Sequence, residues 1–442
     1  MYKIGMISLG CPKNQVDAER MLAQLDKNEF EITDCYEGAD AVIVNTCGFI
    51  DAAKQEAIEN ILDMAQLKAD GTVGKIIVTG CLAQRYKKEI FDEMPEVDAV
   101  VGIGANANIA DIVKRVINGE KLFEMPGSDQ LPLTGERLLT TPEYWSYLKI
   151  ADGCSNRCTY CAIPSIRGDY RSVEFETVID EAKQLAAAGT KELILIAQDT
   201  TNYGSDLYGK LRLPELLDAL CEIDGIEWIR MLYCYPDKIT DELLETIARR
   251  PKVLPYIDLP LQHADDGILK AMNRRGDSAF LREVIAKIRS ALPDAVIRTT
   301  FIVGFPGEGE KEFENLAEFV NEIEFDRLGC FAFSPQEGTP AFNMENTVDE
   351  DVKLRRGEII MQDQLEIVTL KNRDRIGKTY RVLVEDYDGY TDSYSGRTYM
   401  DAPEIDGTVS FTTNKNYEPG DFADVVIIGV NDYDLIGKDL NG

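Results

Sequence analysis

Asp152-Gly-Cys-Ser-Asn-Arg-Cys-Thr-Tyr-Cys161 sets Cys154, Cys158 and Cys161 in a C-x3-C-x2-C pattern, directly after an apolar run that reads as a strand, Tyr147–Ala151. Three thiolates from one tight loop suit an iron–sulfur cluster. A cubane has four irons, so three protein ligands leave one iron open to a small molecule. The loop also opens a series of βα-like units. Further strands are expected at Leu193–Gln198, Trp228–Tyr233, Tyr256–Leu259, Val296–Ile302 and Arg327–Phe333, with amphipathic helices such as Val173–Ala188 and Lys311–Ile323 between them. Such a series predicts a full or partial α/β barrel, whose site would lie at the C-terminal ends of its strands.

Upstream, Lys3–Ser8, Ala41–Asn45, Lys75–Thr79 and Val97–Val101 alternate with helical stretches such as Asn14–Leu25 and Phe49–Lys68, which predicts a parallel sheet with helical crossovers. A Pro-, Gly- and Thr-rich linker runs from about Met125 to Pro142. Downstream of a polar helix around Val352–Arg375 the period becomes two, with frequent Gly and Asp, over Lys378–Glu385, Gly396–Ala402, Gly407–Thr412 and Phe422–Gly429. That pattern predicts a small antiparallel barrel of the oligonucleotide-binding type. The fold class is therefore α/β, with units expected over 1–124, 140–370 and 374–442.

Composition narrows the chemistry. The 442 residues are 44% hydrophobic, enough for several folded units, and 78 Asp and Glu against 47 Lys and Arg give a formal net charge of −31. That charge opposes a phosphate backbone gripped through a broad basic surface, so the expected partner is cationic or small. No run approaches the ~20 apolar residues of a membrane span, and the segment before Cys11 reads as one strand, so the chain is expected in the cytoplasm with no membrane partner. Ten cysteines in such a compartment favour metal ligation or redox chemistry over a disulfide framework. One histidine, His263, excludes a His-based zinc site and catalysis built on several histidines.

A second cysteine set is scattered in sequence. Cys11, Cys47 and Cys81 each lie just past a predicted strand, and in a parallel sheet those ends share the edge where ligands bind. They either converge there or are unrelated half-buried thiols at loop starts.

The C-x3-C-x2-C loop, with aromatic Tyr160 before the last cysteine, resembles that of the radical S-adenosylmethionine superfamily. The resemblance implies that the open iron binds S-adenosylmethionine and that reduction cleaves it to a 5′-deoxyadenosyl radical. Taken together, the two triplets and the C-terminal barrel resemble the methylthiotransferases over nearly the whole chain. This implies two 4Fe-4S clusters, one on Cys154, Cys158 and Cys161 and an auxiliary one on Cys11, Cys47 and Cys81 that carries the sulfur to be delivered. It also implies a C-terminal TRAM domain and an electron donor such as flavodoxin or ferredoxin.

Ser8-Leu-Gly-Cys-Pro-Lys-Asn-Gln-Val-Asp-Ala-Glu19, Ile163-Pro-Ser-Ile-Arg-Gly-Asp169, Ala197-Gln-Asp-Thr-Thr-Asn-Tyr-Gly204 and Met231-Leu-Tyr-Cys-Tyr-Pro236 resemble the RimO type within that family. That type implies methylthiolation of the β-carbon of an aspartate in ribosomal protein S-twelve, free or in the small subunit. One S-adenosylmethionine would donate a methyl group to sulfur at the auxiliary cluster and another would supply the radical that takes hydrogen from the β-carbon. No ordinary base removes that proton near neutral pH, in keeping with a sequence that shows no acid/base pair. The alternative is a tRNA adenosine methylthiotransferase, which would more often show Cys-Gln-Met-Asn in place of Cys11-Pro-Lys-Asn14. Charge disfavours it: residues 376–442 hold five Lys and Arg against thirteen Asp and Glu, a net of −8, which repels RNA and attracts a basic protein.

Other candidates follow from position. Gly304 and Gly307, in Thr300-Phe-Ile-Val-Gly-Phe-Pro-Gly-Glu308, resemble the strand motif lining the adenosine pocket, and Gln198 and Asp199 are expected to contact the cofactor, as is Tyr160. Arg167 and Arg171 are candidates for the cofactor carboxylate or the substrate aspartate, or for surface salt bridges. His263 is expected to be a hydrogen-bonded pocket wall. Cys35, Cys221, Cys234 and Cys330 are expected to be packing residues, and Tyr387–Tyr399 an exposed hairpin or a protein contact.

Overall fold

Ala41–Thr46 and Ile76–Thr79 are buried along their whole length, which a strand achieves only with both faces of its sheet covered. In the computed structural model they occupy the middle of a six-stranded parallel sheet ordered Phe30–Thr33, Tyr2–Ser8, Ala41–Thr46, Ile76–Thr79, Ala99–Val101, Leu122–Glu124. The structure describes residues 1–25, 29–440 and 442. Strand order reverses between Tyr2–Ser8 and Ala41–Thr46, and at such a switch point the carboxyl ends diverge to open a crevice. The edge strands Phe30–Thr33 and Leu122–Glu124 escape the sequence reading because each is short and buries a single residue fully.

A second sheet holds Trp145–Lys149, Glu192–Ile196, Trp228–Met231, Val253–Asp258, Val296–Val303 and Arg327–Ala332, all parallel and in chain order. Its outer strands do not pair with each other, so it is an open, partial α/β barrel. The first strand stops sooner than expected. Ala151–Asp152 instead pairs antiparallel with Arg171–Ser172 and turns the chain into the cysteine loop. Alternation assigns the faces: Leu148, Leu193, Leu195, Ile229 and Ile257 pack with the surrounding helices, whereas Tyr147, Ile194, Ile196 and Tyr256 share another core with the third unit.

That third unit is a closed barrel ordered Thr379–Asp388, Ser393–Arg397, Val409–Thr412, Asp434–Asp439, Phe422–Asn431. It is not wholly antiparallel as expected, because Val409–Thr412 runs parallel to Asp434–Asp439. The expected strand Gly396–Ala402 is mostly a turn. Met400, Asp401 and Ala402 are buried there against the central barrel, so their pattern imitates a strand.

The third unit covers the amino ends of the central strands, where Trp228 meets Phe422 edge-on at 5.0 Å. A buried ionic cluster fixes it: Glu192 accepts from Arg230 Nε at 2.7 Å and from Arg397 Nη2 at 2.8 Å, and Arg397 Nε reaches Glu385 at 2.8 Å. Removing one partner from such a cluster leaves uncompensated buried charge. Glu192→Leu is therefore expected to cost about 3–5 kcal/mol, read as a lower thermal midpoint with earlier proteolytic release of the C-terminal barrel.

Candidate site between two cysteine triads

Each N-terminal cysteine sits where a strand hands over to a turn or a helix. Cys11 is the N-cap of the helix Pro12–Gln24, with Pro12 preset for the first helical position. Cys47 directly succeeds Ala41–Thr46, and Cys81 opens the helix Gly80–Glu93 after Ile76–Thr79. Gly10, at φ +95°, lets the first turn fold onto the second cysteine: a Cβ there would lie 2.9 Å from Cys47 Sγ.

The thiols of this triad feel one another. Burial, then Cys81 and Cys11, push Cys47 up to about 12. Burial raises Cys81 as well, against the pull of Arg167. Burial alone would raise Cys11, yet the Lys13 and Arg167 cations outweigh it and hold that thiol below the usual range. The three lie at neighbouring strand ends of one sheet edge and within reach of one another's charge.

The barrel triad is laced to its surroundings. Thr159 bonds Met272 O through its N–H and Ala271 O through Oγ1, and Asn273 Nδ2 donates to Arg157 O. Tyr235 OH lies 3.5 Å from Cys158 Sγ. Arg274 Nη1 donates to the same sulfur at 3.8 Å while its guanidinium stacks 4.0 Å from the Tyr235 ring. Burial, then Cys158, raises the Cys161 thiol, and burial, then Asp199 and Cys158, raises Cys154. Tyr235 and Arg274 escape the sequence reading. Tyr235 lies inside the Met231–Pro236 motif, which marks it only as part of a group, and Arg274 follows a short helix and reaches the loop through tertiary packing alone.

One cysteine of the N-terminal set reaches the segment that follows the barrel triad. Cys81 shares a small apolar cluster with Ala162 and Ile166, just beyond Cys161. Arg167, at the end of the same short helix, is wholly interior: Nη1 donates to Asp17 Oδ2 at 2.9 Å and Asp152 Oδ2 at 2.7 Å, and Nη2 to Cys81 Sγ at 3.5 Å. Lys149 joins the node through Asp152 at 2.9 Å and through Asp17. Burial would raise Asp152, but Arg167 and Lys149 hold its carboxyl far below the usual range.

These contacts revise several expectations. Arg167 is committed to the node, not to a cofactor or substrate carboxylate, and Arg171 clasps the carbonyls of Ser128 and Asp129 in the linker. Asp199 spends its carboxylate on Asn202 N, Thr201, Lys238 and Asn156 of the cysteine loop, which makes it an anchor of that loop. The close approach at Gly304 is made by Lys353, whose Cγ would lie 2.1 Å from an added Cβ; Gly307 faces open space. Tyr160 packs beside Ile268, Met272, Phe305 and Phe333. His263 accepts Asp265 N at Nδ1 and faces Glu308 across 3.3 Å, as a pocket wall does. Cys221 and Cys234 are buried, Cys330 is half-buried and Cys35 is exposed, so packing does not account for Cys35.

Two observations test the fit of the groups that the resemblance implies. Among the described residues no three Cys, His, Asp or Glu are gathered to hold one metal ion. Single-ion zinc sites need that convergence. Gln198, bonded to Asp152 through Nε2 at 3.2 Å, keeps a buried Oε1 without a partner, an acceptor awaiting a donor at the barrel mouth.

Family models match in three places: an uncharacterized protein family, UPF0004, over residues 3–102, the radical SAM superfamily over 148–320 and the TRAM domain over 376–439. Over 447 aligned residues the chain is 51% identical to the ribosomal protein uS12 methylthiotransferase RimO of Acetivibrio thermocellus, covering 99% of this chain and 98% of that one. The corresponding protein of Clostridioides difficile is 49% identical, with 100% and 99% covered. The chain belongs to the RimO family. Among solved structures, the radical S-adenosylmethionine methyltransferase TsrM from Kitasatospora setae, with cobalamin and a 4Fe-4S cluster bound, shares the fold at a TM-score of 0.59 and 13% identity over 77% of each chain. This RimO-family chain thus joins a doubly wound sheet and a radical SAM partial barrel through the Arg167 node.

Arg167→Met would leave Asp17 and Asp152 sharing Lys149 as their one buried cation and is expected to cost about 3 kcal/mol, seen in urea unfolding. Because the Asp152 carboxyl is held low in the fold, its stabilisation is present above its unfolded pKa of about 3.9 and lost as pH falls. Wild-type stability should therefore fall more steeply between about pH 5 and pH 2 than that of Asp152→Asn.

Proposed function

We propose that the chain methylthiolates the β-carbon of an aspartate in ribosomal protein uS12. The observation that carries this reading is the packing of Cys81 against the segment that follows Cys161, in a chain similar over its full length to RimO enzymes. Cys154, Cys158 and Cys161 would hold the cluster whose open iron takes S-adenosylmethionine, and Cys11, Cys47 and Cys81 the auxiliary cluster, within units spanning 1–124, 140–370 and 374–442. When bound, the first cluster supplies the electron that cleaves the cofactor and the second holds the sulfur to be transferred.

The chain's own residues hold and shield these groups. Gln198 Oε1 offers an acceptor to the bound cofactor. Tyr235 and Arg274 place hydrogen-bond donors on the Cys158 sulfur, which stabilises negative charge there and so tunes the reduction potential. The buried walls around Ile166, Arg167 and Cys81 keep bulk water from a reactive intermediate.

Charge selects the partner. A net −31 overall and −8 in the C-terminal barrel favour encounter with a Lys- and Arg-rich ribosomal protein and oppose tRNA. All ten cysteines are free, as suits a reducing cytoplasm with a flavodoxin or ferredoxin as electron donor. No helix among the described residues is long and apolar enough to cross a membrane.

After anaerobic reconstitution with iron, sulfide, reductant and S-adenosylmethionine, mass spectrometry of uS12 and bulk tRNA offered in parallel should find a methylthio-sized gain on an aspartate peptide of uS12 alone. Cys154→Ala and Cys47→Ala should each abolish it, each lowering bound iron from about eight to about four per chain. A gain on tRNA alone would overturn the choice of substrate.

A further inference from the structure

Lys13 stands in the first turn of Pro12–Gln24, two residues beyond Cys11, and is only 6% exposed. Its Nζ lies 3.1 Å from the centroid of the Tyr233 ring. Tyr233 comes after the barrel strand Trp228–Met231 with a left-handed backbone, φ +63°, which a bulky residue adopts only under constraint. The cation therefore reaches from the N-terminal sheet onto the mouth of the barrel, between the triads.

No carboxylate among the described residues pairs with it. The strongest field that reaches it is that of Cys11, a member of the auxiliary triad; the carboxylates that follow, Asp258 and Asp152, are already committed. Asp258 accepts from Tyr233 N at 2.8 Å and Arg298 Nη1 at 2.9 Å. Asp152 accepts from Lys149, Arg167, Gln198 and Gly153 N. The tyrosine face and the neighbouring Cys11 offset only part of the cost of burying an ammonium group, and with no carboxylate on it Lys13 keeps N–H donors for an arriving anion. Every other charged group of the neighbouring node is paired, which makes the open valence of Lys13 specific.

We propose that Lys13 is the receptor for the carboxylate of the substrate aspartate. This rests on the functional reading above and deepens it. The β-carbon of an aspartate is one bond from its carboxyl carbon, so a carboxylate held at Lys13 fixes the reacting atom between the two triads. The same contact discriminates aspartate from its neutral isostere asparagine, because asparagine leaves the buried ammonium uncompensated.

The test is binding to the cluster-loaded enzyme without reductant, read by fluorescence anisotropy. The probes are labelled uS12 and uS12 carrying asparagine at the target position. Wild type is expected to prefer the aspartate form by about 10- to 100-fold. Lys13→Met should bring the ratio near one and Lys13→Arg should keep most of it, both compared at equal bound iron per chain because Lys13 also acts on Cys11. An unchanged ratio in Lys13→Met, with uS12 still methylthiolated by wild type, would overturn the role of Lys13 and leave the function standing. So would a ratio near one in wild type, which needs no variant to fold. A wild-type enzyme that neither binds nor modifies uS12 would instead overturn the functional reading itself.

Discussion

The structure depends on one buried charge arrangement: Arg167 and Lys149 facing Asp17 and Asp152, each side chain 1% exposed or less. Taking such groups from water costs several kcal/mol per ion, and only their mutual geometry offsets it. The node therefore tolerates one docking of the N-terminal helix against the first barrel strand. Because Arg167 also ends the short helix after the cysteine loop and touches Cys81, that docking brings Cys81 against the segment that follows Cys161.

A second buried cluster works at the opposite end of the barrel. Glu192, Arg230 and Arg397 tie the C-terminal barrel beneath the amino ends of the strands, and Arg327 with Asp401 repeats the device nearby. The third unit is thereby held away from the cleft. It carries a net charge of −8 over residues 376–442, and all six cysteines of the two sets lie in the other two units.

Most of the architecture is legible in the sequence because strand burial and helix amphipathicity are local patterns. The central strands read correctly within a few residues, and Cys154, Cys158 and Cys161 are visible as a unit because one loop carries them. The misses share a cause. Asp434–Asp439 closes a tight hairpin with Phe422–Asn431, yet it is short and polar and buries only alternate residues by closing the barrel, and the turn at Met400–Ala402 looks like a strand because tertiary contact buries it.

By itself the sequence determined the fold class, the barrel cysteine triad, the positions of the strand-end cysteines and the acidic character of the chain. Those properties depend on residue type and short spacing. Only the tertiary structure decided what the long charged side chains do: Arg167 pairs with Asp17 across 150 residues, Asp199 holds the cysteine loop, Lys353 fills the space at Gly304, and Lys13 faces a tyrosine ring in place of a carboxylate. The reach of an arginine or lysine spans several possible partners, and packing of distant elements chooses among them. Local spacing holds no record of that choice.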